Sequence, residues 1–204
     1  MVNLFPMHPD DIGRSYDTIA AKWREPHIQS NGIAQVERAI RFVGKGGHAL
    51  DVGCGCSGRF VDLLTGHAFQ VEGIDVSKKM IALARETHPH IAFHHADICT
   101  WEFPRKYDFI VAWDSTWHLP LKEQEPVIRK ICKGLAPGGV FVFTTGGVDG
   151  PHEMPDSSMG PPVFYSVLGI PGTLALLARC ACVCRHLEYD QYPEPHLYII
   201  AQKT

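Results

Sequence analysis

The chain has 204 residues, 45% of them hydrophobic and 20% charged, with a formal net charge of −3. That length suits one domain with a full core, and the acidic balance (pI near 6.4) argues against attachment to nucleic acid through a broad basic surface. Seven cysteines without a secretory start, and no apolar run near the ~18 residues of a membrane span, predict a cytoplasmic, soluble chain with neither a disulfide framework nor a transmembrane span.

Residues 1–13 read as an irregular lead-in, with Pro6, Pro9 and Gly13 as breakers. Residues 15–23 predict a short helix with the aromatics Tyr16 and Trp23 near its ends. Ile33, Val36, Ile40 and Val43 recur at helical spacing and predict a helix over 33–43, which covers one face of a sheet and ends at the glycines of 44–47.

The stretch 48–75, HALDVGCGCSGRFVDLLTGHAFQVEGID, predicts strand, tight loop, helix, strand. Gly53 and Gly55 permit positive φ and leave no Cβ between the backbone and a ligand. The N-terminus of the following helix, near Arg59, points unpaired N–H groups toward the same place. Asp75 lies ~20 residues on, at the tip of the second strand, where a carboxylate can accept both hydroxyls of a ribose. The unit therefore predicts a nucleoside-containing ligand across two adjacent strand ends. Gly53-x-Gly55-x-x-Gly58 also satisfies the dinucleotide fingerprint. However, Asp51, inside an otherwise apolar strand, suits a loop built around a cation better than a pyrophosphate.

Further along, Ser77 is placed to cap a helix through Met80, Ile81, Leu83 and Ala84. Residues 91–95 predict a third strand. His94 and His95 are neighbours on it, point to opposite faces, and are not expected to share a metal ion. Residues 107–113 predict a buried central strand that empties, on the ligand side, into Asp114-Ser115-Thr116-Trp117-His118. A helix over 121–135 follows, with Val127, Ile128, Ile131 and Leu135 inward, then a turn at 136–139 and a strand at 140–145. Residues 146–172 are rich in glycine, proline, serine and methionine and read as a substrate loop with little regular structure. His152, Met154, Met159, Phe164 and Tyr165 are its candidate pocket residues. A helix over 173–181 and strands over 182–189 and 196–202 complete the chain, the strands joined at Pro193-Glu194-Pro195. Cys180, Cys182 and Cys184 would share one face if extended. With no complementary Cys/His group at zinc spacing they read as core or interface thiols, and no metal site is expected.

Leu50-Asp51-Val52-Gly53-Cys54-Gly55 resembles the first motif of the class I S-adenosylmethionine (SAM)-dependent methyltransferases. The preceding Tyr16-Asp17-Thr18-Ile19-Ala20-Ala21-Lys22-Trp23, the acid Asp97, and Leu135-Ala136-Pro137-Gly138-Gly139 are similar to further segments of that family. The resemblance covers residues 15–145, and the closing hairpin by topology. It implies an α/β fold: a Rossmann-like, doubly wound sheet of seven strands, mostly parallel with a C-terminal antiparallel hairpin and helices on both faces. It also implies a single domain over 1–204, with 1–44 as an N-terminal helical lid and 146–172 as the substrate loop. The implied cofactor is SAM, with S-adenosylhomocysteine as product, held by Tyr16, Trp23, Asp51, Gly53, Cys54, Gly55, Asp75, Val76, Met80, Asp97, Ile98 and Trp113. In that scheme Tyr16 and Trp23 flank the amino-acid end, Asp97 accepts from the adenine amino group, the backbone of Ile98 serves the ring, and a carbonyl near Trp113 meets the ammonium. His118 is the candidate general base, with Asp114 as orienter or second choice. The alternative is that His118 packs against the cofactor's edge. The expected acceptor is a small molecule rather than nucleic acid. One departure from the family pattern is Ser57 in place of a glycine, with glycine following at Gly58, which implies a different loop path over Cys56, Ser57 and Gly58. Two other functions fit parts of the pattern. A nicotinamide-dependent oxidoreductase is opposed by Asp51, the Pro137-Gly138-Gly139 turn and the closing hairpin. A non-catalytic SAM-binding protein is compatible with the same cofactor motifs.

Overall fold

The structure, a computed structural model, describes residues 7–204, the side chains of residues 26 and 27 excepted. The chain order is α1 (Pro9–Ile19), α2 (Pro26–Ser30), α3 (Ile33–Ile40), β1 (Gly47–Val52), α4 (Arg59–Gly66), β2 (Phe69–Asp75), α5 (Lys78–Thr87), β3 (Ala92–His95) and β4 (Tyr107–Ala112). Then follow α6 (Leu121–Gly134), β5 (Leu135–Gly146), β6 (His152–Asp156), β7 (Val163–Val167), α7 (Gly169–Arg179), β8 (Cys182–Tyr189) and β9 (His196–Lys203). Seven strands form one sheet in the order β3-β2-β1-β4-β5-β9-β8, and β6 and β7 form a separate two-stranded ribbon. The first five are parallel, while β9 runs antiparallel to both β5 and β8. The chain reverses its direction of winding between β1 and β4, so a crevice opens beyond their carboxyl ends.

The central strands are apolar on both sides because helices cover both faces. Ala49, Phe109 and Val111 pack with Val36 and Ile40 of α3 and Phe60 and Leu64 of α4. Their neighbours Leu50, Ile110 and Ala112 point the other way, onto Ile128 and Ile131 of α6 and Leu176 of α7. This alternation delivers the ends of β1, β2 and β4 to one rim, where the glycine loop, Asp75 and Asp114 lie.

Several sequence expectations are corrected. Residues 1–6 of the irregular lead-in lie outside the described residues, but α1 begins at Pro9 instead of near Ser15. His8 caps it by accepting from the Asp10 amide, and Asp11 reaches back to the His8 amide. Proline suits the first helical position because its missing N–H has no partner there anyway. Gly13 is an interior residue of α1, where a Cβ would stand 2.7 Å from the Val76 carbonyl oxygen. Residues 146–172 are not irregular: β6 and β7 form a hairpin, and α7 starts at Gly169. Pro155 is tolerated in β6 because the ribbon has only two strands and one side of β6 needs no donor. The expected turn at 136–139 is taken up by β5 as an irregularity, with pairing jumping from Tyr107–Leu135 to Phe109–Val140. The helix α3 stops at Ile40, and 41–43 form a turn. The three thiols do not form one extended row. Cys180 is the C-cap of α7, Cys182 is buried under that helix, and Cys184 is exposed on the edge strand.

Candidate functional site

At the rim lies a cavity of about 260 Å³. Its floor is the glycine loop. The amides of Gly53 and Cys54 both donate to the Ile74 carbonyl, at 2.8 and 3.1 Å, which folds the loop over the end of β2. Gly53 has φ +70°, and a Cβ there would stand 2.3 Å from that of Ser115, whose hydroxyl donates to the Val52 carbonyl. The loop of β1 can therefore touch the loop of β4 only because residue 53 has no side chain.

Asp75 joins the loop to α5. One carboxylate oxygen accepts from the Gly55 amide and the other from the Ser77 amide, each at 2.8 Å. Burial raises this carboxyl above its ordinary range, and the two amides oppose the shift. Each oxygen keeps a second lone pair, the requirement for gripping a vicinal diol. Asp51 stands behind the loop and is 3% exposed. Burial pushes its carboxyl up to about 7, with Arg59 opposing and Asp75 adding to the rise.

At one end of the cavity, Asp97 accepts from the Cys99 amide at 2.8 Å, which shapes the loop presenting Ile98. Lys130 of α6 locks that loop from behind, its ammonium donating to the carbonyls of Ile98, Cys99 and Trp101 at 2.9, 2.8 and 3.2 Å. Tyr16 and Trp23 cover the cavity with their rings edge-on, centroids 5.1 Å apart. Asp17, beside them, accepts from the Ser77 hydroxyl and the Lys79 amide, pinning α1 to the start of α5. On its other side α1 meets the hairpin, with the Ser15 hydroxyl on the Pro162 carbonyl at 2.5 Å.

His118 sits where these covering elements converge and is 7% exposed. Its Nδ1 is 2.8 Å from the Phe164 carbonyl, an acceptor only, so Nδ1 carries the hydrogen. Nε2 then accepts from the Tyr16 hydroxyl at 2.7 Å and from the Trp117 indole at 3.3 Å. Burial lowers the imidazole to about 4, against the opposing effects of Phe164, Asp114 and Asp156. Burial likewise drives the Tyr16 hydroxyl well above its ordinary range, with Tyr165 and Asp75 adding to it. Near neutral pH this is a neutral imidazole accepting from a protonated tyrosine.

Asp114 follows β4 with φ +51°, a conformation aspartate tolerates better than most residues. Its amide donates to Thr144 at 2.7 Å, and its carboxylate receives Asn31 at 3.0 Å and His196 at 2.9 Å. Among the described residues the cavity wall carries Asp75, Asp97 and Asp114 but Arg59 as its one full-time cation. That guanidinium is occupied by the Asn31 carbonyl and the Ser57 hydroxyl, both at 2.8 Å. Such a wall, with three acids to one arginine, fits a cationic nucleoside better than a pyrophosphate.

The structure brings together on this wall every cofactor and base candidate named from the sequence except Asp51, which lies behind it. Met159 and Tyr165 of the hairpin also line it, whereas Phe164 is fully buried and His152 and Met154 are exposed. His94 is bonded to Glu72 and His95 to the Val76 carbonyl, each at 3.1 Å. Sequence reasoning missed Asn31, Lys130 and His196, which carry no motif and reach the site only through the fold. Asp17 could have been found, since it lies inside the family-like segment.

Residues 49–139 match the family model described as a methyltransferase domain. The phosphoethanolamine N-methyltransferase of Plasmodium falciparum is 27% identical over 126 residues, covering 59% of this chain and 47% of that one. The dTDP-3-amino-3,6-dideoxy-alpha-D-glucopyranose N,N-dimethyltransferase of Streptomyces fradiae is 27% identical over 135 residues, covering 65% and 52%. The chain thus spans about half the length of these relatives. Among solved structures, an S-adenosylmethionine-dependent methyltransferase from Mesorhizobium loti superposes with a TM-score of 0.66 at 21% identity, over 83% of this chain and 96% of that one. The Burkholderia thailandensis 1,6-didemethyltoxoflavin-N1-methyltransferase, with bound 1,6-didemethyltoxoflavin and S-adenosylhomocysteine, gives a TM-score of 0.68 at 16% identity, over 97% of this chain and 91% of that one. With the glycine loop, Asp75 and the antiparallel closing hairpin arranged as they are, the chain has the Rossmann-like fold of these S-adenosylmethionine-dependent methyltransferases, and its residues 49–139 match a methyltransferase domain.

Proposed function

We propose that this chain transfers the methyl group of SAM to a small-molecule acceptor. The observation that carries the reading is Asp75, whose two oxygens are oriented by the Gly55 and Ser77 amides at the switch point of an acid-lined cavity. Asp75 would hold the ribose, Asp97 and the Ile98 backbone the adenine, and Gly53, Cys54 and Gly55 the amino-acid tail. Val76 and Met80 would pack on the nucleoside, with Tyr16, Trp23 and Trp113 around the tail. When bound, SAM supplies an electrophilic methyl on a sulfonium. The chain's own work is then to align the acceptor and exclude water. In this reading α1 and its aromatics act as the lid, the β6–β7 hairpin as the acceptor-side cover, and the described residues as one domain.

Among the side chains at the acceptor end, Asp114 is the one suited to take a hydrogen bond or a proton from the nucleophile, since its carboxylate is 30% exposed. His118 is assigned a different part from the general base its position first suggested. Its Nε2 lone pair is spent on Tyr16, so it orients that hydroxyl and joins lid to hairpin. The matched relatives are named for phosphoethanolamine, an amino sugar and a ubiquinone precursor pathway, which supports a small acceptor. No helix of the described residues is long and apolar enough to cross a membrane. All seven cysteines are free, which supports a cytoplasmic setting.

Titration calorimetry with SAM, S-adenosylhomocysteine and NADH tests the cofactor, and formation of S-adenosylhomocysteine with a panel of amines and hydroxy compounds tests turnover. Binding of NADH in place of SAM would overturn the proposal. With an acceptor from that panel, Asp114→Asn is expected to lower kcat/KM by about 10²-fold or more, with S-adenosylhomocysteine affinity unchanged. Asp51 adds a pH signature. Its carboxyl ionises near 7, and an ionised acid favours a cationic ligand. SAM affinity is therefore expected to rise between pH 6 and 8, and to lose that slope in Asp51→Asn.

A further inference from the structure

Asp114 is the end of a chain of polar side chains that methyl transfer as described leaves unused. His196, the first residue of β9, places Nε2 2.9 Å from Asp114 Oδ1 and Nδ1 2.5 Å from Asp190 Oδ1. The imidazole is 10% exposed and the Asp190 carboxylate 4%. An ionised carboxylate only accepts hydrogen bonds, so a carboxylate on each ring nitrogen calls for two N–H groups, the imidazolium form. The other oxygens are also engaged, Asp114 Oδ2 by Asn31 and Asp190 Oδ2 by Gln35 of α3, both at 3.0 Å. The rings of Trp113 and Trp117 flank the imidazole at 6.0 and 5.4 Å between centroids.

The charged groups facing His196 are Asp114 from the loop after β4 and Asp190 from the end of β8. Asn31 and Gln35 are neutral, and Arg59 of α4 acts on Asp114 from another side. Burial alone would lower this imidazole. The hydrogen bonds and charges of the two acids outweigh it, and the net shift is upward.

We propose that His196, positively charged between Asp190 and Asp114, is a positioning residue that fixes the Asp114 carboxylate at the acceptor end of the cavity. It stands behind the cavity wall, against Asp114, Trp113 and Trp117, and does not itself line the cavity. It works by holding an exposed loop acid in one orientation, with a lone pair free for the acceptor's N–H or O–H group. A base raised on folding is bound most firmly at low pH. The clamp is therefore complete on the acid side and is released as pH rises through the folded-state value. The part played in acceptor alignment rests on the methyl-transfer reading above, while the charge on His196 does not.

The test begins with long-range proton–nitrogen NMR of the histidines in the whole chain, with His196→Gln for assignment. Both His196 nitrogens are expected to be protonated at pH 7, with a midpoint above that of a free histidine. In Asp190→Asn the midpoint is expected to fall by about one pH unit or more. A neutral His196 at pH 7 in the unaltered chain would overturn the proposal, whatever binds in the cavity. With the acceptor found above, His196→Gln and Asp190→Asn are each expected to lower kcat/KM about tenfold or more while leaving S-adenosylhomocysteine affinity within about twofold. Asp190→Asn should also move the alkaline limb of the kcat/KM profile to lower pH, which a loss of packing alone would not do. Folded variants with an unchanged profile and unchanged kcat/KM would refute the positioning role. Failure of the unaltered chain to bind SAM would instead count against methyl transfer and leave the NMR result to decide the charge.

Discussion

Asp75→Ala is expected to weaken S-adenosylhomocysteine binding by about a hundredfold or more. The carboxylate has two tasks that alanine cannot share. It ties the Gly55 and Ser77 amides, which set the glycine loop against α5, and in the proposed function its remaining lone pairs would take a diol. Hydrogen bonds to a charged group are each worth about 1.5–3 kcal/mol. Losing two of them removes about 3 kcal/mol or more, and each 1.4 kcal/mol is a decade in affinity. Asp75→Asn separates the two tasks. It keeps the shape but has a single accepting oxygen, so one of the two amides or one hydroxyl must lose its partner, and an intermediate loss is expected. Calorimetry with S-adenosylhomocysteine, after circular dichroism confirms that both variants fold, reads the result. Affinity within about threefold of the unaltered chain would remove Asp75 from the binding site.

His118→Phe is expected to cost about 2–4 kcal/mol of stability at pH 7, from loss of the buried hydrogen bonds that His118 makes with the Phe164 carbonyl and the Tyr16 hydroxyl. It should also change how stability depends on pH. The imidazole is lowered to about 4 in the folded chain and titrates near ~6.5 when unfolded. Between those values the unfolded chain binds more protons, so unfolding free energy rises with pH and is lost on acidification, by about 3 kcal/mol in total. Asp51 runs the other way. Its carboxyl is raised to about 7, so the folded chain holds the extra proton above pH ~4. Its contribution is greatest in acid and is lost as pH rises to about 7, again by about 4 kcal/mol at most. The two slopes oppose each other in the unaltered chain, and single variants should unmask them. Urea titrations at several pH values are expected to show a shallower loss of stability in acid for His118→Phe, and a shallower loss toward neutral pH for Asp51→Asn. Parallel curves for His118→Phe and the unaltered chain would mean that this imidazole is not held neutral by burial.

The elements that were legible from residues alone are those whose signal is local. The 48–75 unit carries its own alternation, glycines and acid within one short span, and Ser77 caps α5 by accepting from the Met80 amide three residues on. The central strands declared themselves as unbroken apolar runs because both faces are buried. The misreadings have a common cause. Pro9 and Gly13 read as breakers by type, and residues 146–172 as irregular by composition, but a proline at a first helical position (Pro9) or on an unpaired ribbon edge (Pro155) breaks nothing. Gly13 is a contact requirement, set by the Val76 carbonyl sixty-odd residues away. The cysteine row dissolved because Cys180 belongs to a helix end, a boundary that composition does not mark.

Sequence by itself therefore determined the fold class and the strand–loop–helix–strand unit with Asp75 at its tip, since the unit depends on neighbours within one short span. Only the tertiary structure decided what the acceptor-side residues do. His118 meets Tyr16 across 102 positions, and Asp114 meets His196 across 82. The second pairing follows from sheet order, which sets β9 beside β5 and brings its first residue near the end of β4; the first follows from the docking of α1 over the cavity. A side chain's protonation and partner are properties of that assembled environment: burial lowers the His118 imidazole, and His196 lies between two carboxylates, one from the loop after β4 and one from the turn after β8.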